Sequence, residues 1–220
     1  MTATVARLFM TLILLTPLSL AGCMGAGYES AFLYKNLPVA EGSASAGDGH
    51  HILFKGSPLA LSGNGIKVGD QLRSVRVTLT DLTLVNLVDT TGKGKVRIIS
   101  VVPSLDTKVC EQQTHHLSEK NKGLDKMVEL ITVSIDTPFA QKRFAEEAKI
   151  HNITFLSDYR NADFGKAYGL FLKDPHILAR AIMVVDAHGT VRYLQITPEL
   201  AQLPNMDEAF QFARKLITNS

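Results

Sequence analysis

KVRIISVVPSLDTKVCEQQTHHLSEKNKG, residues Lys95 to Gly123, is the stretch that decides how this chain folds. Its first part, Lys95 to Val102, is a β-branched apolar run of the kind buried on both faces as a central strand. The period then changes, and a helix pattern runs from about Val109 to Asn121 and closes at Gly123. Between them lies a polar turn holding Ser104, Asp106, Thr107 and Lys108, and Cys110 stands just past it in the first helical turn. Unpaired backbone N–H groups and the positive end of the helix dipole favour thiolate over thiol at such a place. An inert structural cysteine would sit on an apolar face instead.

Working outward, VELITVSI (128–135) reads as a strand, and Asp136-Thr137-Pro138 opens a helix with Phe139 and Phe144 expected in the core beneath it. A short strand ITFLS and a helix ADFGKAYG follow, then strands RAIMVVD and VRYLQI joined by Ala187-His188-Gly189, and a terminal helix MDEAFQFARKLIT. On the other side, HILFKGSPLALSG (51–63) reads as a hairpin turning at Gly56-Ser57-Pro58, and VRVTLTDLTLVNL (75–87) as strand material broken near Asp81. This order predicts an α/β protein with a mixed central sheet, helices on both faces, and an N-terminal β-hairpin: the thioredoxin-like order.

The chain opens with a weakly basic leader containing Arg7, then an apolar run from Leu8 to about Leu20, shorter than the ~20 residues that span a bilayer, followed by small residues. Leu20-Ala21-Gly22-Cys23 resembles a bacterial lipobox, which implies a signal peptide over 1–22 and a lipid-anchored Cys23. A lipidated Cys23 leaves Cys110 as the only thiol, so no intramolecular disulfide is available. Residues 23–49, rich in Gly, Ala and Ser, read as the lipidated N-terminus and a flexible tether, and 50–220 as one globular domain. The expected location is a bacterial cell envelope, with Met24 after the anchor favouring the outer membrane, facing the periplasm, in a two-membrane host. A net charge of +2 with no basic run argues against a nucleic-acid partner.

Four separated blocks carry a family likeness: PSLDTKVC (103–110), SIDTPFAQKRF (134–144), LSDYRNADFGKAYG (156–169) and ARAIMVVD (179–186). In this order they resemble the atypical thiol peroxidases among the peroxiredoxins. The resemblance implies a thiol-dependent peroxidase acting on hydrogen peroxide or alkyl hydroperoxides, without cofactor or metal. It implies Cys110 as the peroxidatic nucleophile, Thr107 with its hydroxyl beside sulfur and peroxide, Arg180 as the fixed cation, and Pro103 shaping the strand exit. It also implies an external thiol reductant, either a thioredoxin-like protein or a low-molecular-weight thiol, and a homodimer.

One departure changes the expected chemistry. The familiar members place a resolving cysteine directly after the PFAQxRF block, and here Ala145 stands there. A one-cysteine mechanism follows, in which oxidised Cys110 waits as sulfenic acid for an outside thiol. The alternative is a redox sensor or envelope binding protein that keeps the fold without turnover. His115 and His116 point in different directions from adjacent helix positions and read as solvated or packing residues, not metal ligands.

Overall fold

The computed structural model describes residues 32–218; the leader, Cys23 and residues 24–31 lie outside the described residues. In chain order the elements are β1 (His51–Phe54), β2 (Ser57–Ser62), β3 (Arg76–Leu79), β4 (Leu84–Asn86), β5 (Arg97–Val101), α1 (Lys108–Glu119), β6 (Glu129–Ser134), α2 (Pro138–Glu147), β7 (Thr154–Ser157), α3 (Asp163–Tyr168), β8 (Phe171–Leu172), β9 (Ile177–Leu178), β10 (Ala181–Val185), β11 (Val191–Ile196) and α4 (Met206–Thr218).

The β-branched run forms β5, which lies in the middle of a seven-stranded sheet of order β11-β10-β5-β6-β7-β3-β4. β5, β6 and β7 run parallel, because the α1 and α2 crossovers return the chain to the same end; β10 pairs antiparallel to β5. Side chains alternate along these strands. Ile98, Leu130, Ile182 and Val184 pack with Leu117 of α1 and Phe210 of α4 on one face. Ile99, Val101, Ile131, Val133, Met183 and Val185 pack with Phe164, Tyr168 and the hairpin on the other. The protein is therefore thioredoxin-like, a mixed central sheet flanked by helices, with the N-terminal hairpin β1–β2 extended by the short β8 and β9 into a second sheet.

Three local expectations are corrected. The hairpin turns at Lys55-Gly56, both at positive φ (53° and 82°), and Ser57 and Pro58 already belong to β2. Phe139 is 65% exposed on the first turn of α2; Phe144 alone of the two packs inward. The compact unit also begins at Phe32, not near residue 50. The described residues of that stretch, 32–49, lie on the domain, with backbone bonds from Ala40 N–H to the Leu203 carbonyl (2.8 Å), Ala44 N–H to Ile196 (2.9 Å) and Gly47 N–H to Gly169 (2.9 Å). Their small side chains serve close approach: a Cβ on Gly169 would lie 2.5 Å from the Gly47 nitrogen.

Candidate active site

β5 delivers the chain to the site, and the Val102 N–H still reaches the Val133 carbonyl at 3.0 Å. The buried Pro103, with no N–H to donate, ends the ladder there. The turn that follows is stapled from the loop after β6, where the Asp136 carboxylate accepts the Ser104 hydroxyl at 2.7 Å and the Leu105 N–H at 2.8 Å. Thr107, in extended conformation, is the N-cap residue of α1, which makes Cys110 the third residue of the helix. Its N–H is therefore one of those without a carbonyl partner inside the helix.

Cys110 is free and fully buried. Its Sγ receives a hydrogen bond from Arg180 Nη2 at 3.4 Å. Arg180 arrives beside the helix mouth because it immediately precedes β10, whose Ala181 is in register with Val101 of β5. Two more bonds fix its guanidinium: Nε donates to the Leu200 carbonyl at 2.9 Å, and Nη1 to Gln113 Oε1 at 2.8 Å. Gln113, one turn after the cysteine and fully buried, donates in its turn to Ser100 Oγ at 2.8 Å. No carboxylate forms an ion pair with Arg180 among the described residues. A buried guanidinium without a carboxylate is complementary to an anion on the neighbouring sulfur.

Of the residues singled out in the sequence, Cys110 and Arg180 thus meet, and Pro103 lies buried at the exit of β5. Thr107 stands at the mouth, exposed, and its hydroxyl donates to the Ser104 carbonyl at 3.2 Å. The remaining wall is apolar, formed by Val102, Leu105, Ile150 and Phe155 with Phe144 and Ala145 packed against it. Ala145 therefore packs against the same cluster as Cys110.

Gln113 and Asp136, which bond the Arg180 guanidinium and the turn before Cys110, join the candidate site only in the structure. The i, i+3 spacing of Gln113 from Cys110 was the available signal, since it sets both on one helix face. The two histidines pack: His115 Nδ1 lies 2.7 Å from Glu119 Oε1, and His116 Nε2 4.0 Å from Asp207. Burial lowers the pKa of His116 from its ordinary value. Among the described residues no group of three or more His, Cys, Asp or Glu side chains is placed to hold a metal.

This chain is similar to proteins of known family. The Redoxin family model matches residues 67–210. The thiol peroxidase of Halalkalibacterium halodurans is 45% identical over 163 residues, covering 74% of this chain and 96% of that protein. The Bacillus subtilis thiol peroxidase is 40% identical over 166 residues, covering 76% and 98%. Among solved structures, a peroxiredoxin-like protein from Aquifex aeolicus superposes with a TM-score of 0.71 at 37% identity, over 80% of this chain and 100% of that one.

Proposed function

Because the chain belongs to the thiol peroxidases of the redoxin family and is an oxidoreductase of that type, we propose that it reduces hydrogen peroxide or alkyl hydroperoxides at Cys110 by a one-cysteine cycle. The observation that carries the reading is the Arg180 guanidinium 3.4 Å from the sulfur of a cysteine at a helix mouth. In the first step the thiolate attacks one peroxide oxygen, an S–O bond forms and the O–O bond breaks. The departing alkoxide or hydroxide takes a proton and leaves as alcohol or water. Arg180 stabilises the anion on sulfur and the charge that passes to the leaving oxygen. Leu105, Phe144 and Phe155 keep an apolar wall behind the sulfur.

Cys110 is then a sulfenic acid, and with Ala145 packed against its cluster no second thiol stands beside it among the described residues. Two equivalents of an external thiol complete the cycle. Ala145 is also the observation that favours the second reading, a single-use redox sensor. Peroxide consumption in the presence and absence of a supplied thiol separates the two: an enzyme consumes many equivalents per chain, a sensor one, and an inert binding protein none.

We propose in addition that Cys23 is lipidated and holds the enzyme at a bacterial envelope membrane. The lipobox-like LAGC at the end of the apolar run supports this. With the domain beginning at Phe32, only residues 24–31 would separate the anchor from it, a reach of about 30 Å when fully extended. Palmitate labelling of the wild type and of Cys23→Ser is the test, and label retained by the variant overturns it.

A further inference from the structure

The cysteine helix is held from outside by the first described residues of the chain. The Phe32 ring stacks on His115 with centroids 3.9 Å apart and 12° between the planes. The Tyr34 hydroxyl donates to the Glu119 carboxylate at 2.6 Å, and the Lys120 ammonium lies 4.8 Å above the Tyr34 ring. Burial and the carboxylate raise the Tyr34 phenol above its ordinary pKa, so it stays a donor at neutral pH. Gln112 completes the clamp: its amide accepts the Lys35 N–H at 2.8 Å and donates to the Lys35 carbonyl at 2.8 Å, the pairing an adjacent strand would offer. His115 in turn meets Phe144 edge-on, and Phe144 packs against the apolar cluster that contains Cys110. The strap thus grips α1 from its second turn to its last. Backbone bonds at Ala40 and Ala44 fasten its other end to the domain.

Cys110 has no exposed surface. A small thiol enters where a peroxide enters. A thiol carried on a protein must bring a bulky surface to the sulfur, which requires the first turns of α1 to open. Opening α1 breaks the bonds of Gln112 to the strap as well as those inside the helix.

We propose that Phe32–Lys35, gripping Gln112 and His115, determines reductant specificity by holding α1 closed and admitting small thiols to oxidised Cys110 in preference to protein thiols. The inference rests on the one-cysteine reading above. In the step it controls, a thiolate attacks Sγ of the sulfenic acid, an S–S bond forms, the S–O bond breaks, and hydroxide leaves as water after taking a proton. A second thiolate then displaces the Cys110 thiolate, so that Cys110 is reduced and two thiols are oxidised to a disulfide.

The test uses the full chain with Phe32→Ala, which removes the stack, and separately Gln112→Leu, which removes the two hydrogen bonds. Hydrogen exchange of the α1 amides is measured without peroxide. Reduction of sulfenic Cys110 is then timed with dithiothreitol and with a reduced dithiol protein of thioredoxin fold. Each variant should exchange about tenfold faster across α1 and be reduced about tenfold faster by the protein thiol, with dithiothreitol and peroxide rates within about twofold of wild type. Normal oxidation of Cys110 with unchanged α1 exchange overturns the strap, as does equal acceleration by both reductants. A wild-type protein that never oxidises at Cys110 overturns the one-cysteine reading, and the proposed selectivity with it.

Discussion

Replacing Arg180 by Met removes the cation beside Cys110 while keeping much of the side-chain volume. At 3.4 Å and an effective dielectric of about 20, a unit charge on sulfur and one on the guanidinium attract by about 5 kcal/mol, which is an upper bound. The net worth of a hydrogen bond to a charged group is smaller, about 1.5–3 kcal/mol, because the competing solvation is lost on both sides. The peroxide step should therefore slow by about 10- to 150-fold. Stability should fall too, since the Leu200 carbonyl and Gln113 Oε1 lose their buried donor, at about 1–3 kcal/mol each. Arg180→Lys keeps the charge but not the planar fork that serves three partners, and should react at an intermediate rate. Single-turnover stopped-flow at a temperature well below unfolding reads the chemical step alone. A rate for Arg180→Met within about twofold of wild type would refute this role for the guanidinium.

Gln113→Leu leaves Cys110 and Arg180 in place but frees Nη1, and should slow the peroxide step by about 3- to 10-fold, with a smaller effect in an Arg180→Met background. Equal effects in both backgrounds would mean that Gln113 does not act through Arg180. Ala145→Cys should form an intrachain bridge to Cys110 under mild peroxide and protect it from further oxidation, read by intact mass after alkylation. No bridge would mean that the two helices do not open in this protein. Burial pushes the Asp158 carboxyl up to about 6, against the N–H bonds it receives from Gly165 and Phe164. The folded state therefore holds this proton between pH about 4 and 6 while the unfolded state has released it. The stabilisation is complete below about pH 4 and is lost as pH rises through 6, by at most about 3 kcal/mol. Denaturant titrations at pH 4.5 and pH 7.5 should show wild type losing stability relative to Asp158→Asn over that interval, and a constant difference would count against it.

Much of the fold was legible because long β-branched runs alternate with helix patterns. β5, α1, β6, α2, β10, β11 and α4 all lie where periodicity puts them. The failures have physical causes. β8 and β9 have two residues each, too few to show a period. A lysine at φ 53° carries no turn signal, so the sequence alone starts the hairpin turn one residue late, at Gly56. Residues 32–49 read as tether because Gly, Ala and Ser suit flexible chain, yet here the glycines permit backbone contact and the order comes from long-range hydrogen bonds that composition does not encode. Phe139 follows a proline on the exposed side of α2, and apolar character alone did not reveal which way it faces. At the site, Cys110, Pro103 and Arg180 came from the motif blocks. Asp136 stands inside a motif block and Gln113 one turn after Cys110, but their partners, the turn at Ser104 and Leu105 and the Arg180 guanidinium, are brought to them only by the fold.

The central claim is that one cysteine does the chemistry and an outside thiol restores it. Peroxide titration of the reduced protein, followed by intact and peptide mass measurement, tests it most directly. One equivalent should add a single oxygen at Cys110, trappable by a sulfenic-acid reagent, with no intrachain disulfide. Excess peroxide should give sulfinic and sulfonic acid at the same residue, a supplied thiol should return the sulfenic form to thiol, and Cys110→Ser should remain unmodified. Peroxide consumption by Cys110→Ser at the wild-type rate, or oxygen appearing on another residue first, would contradict the account.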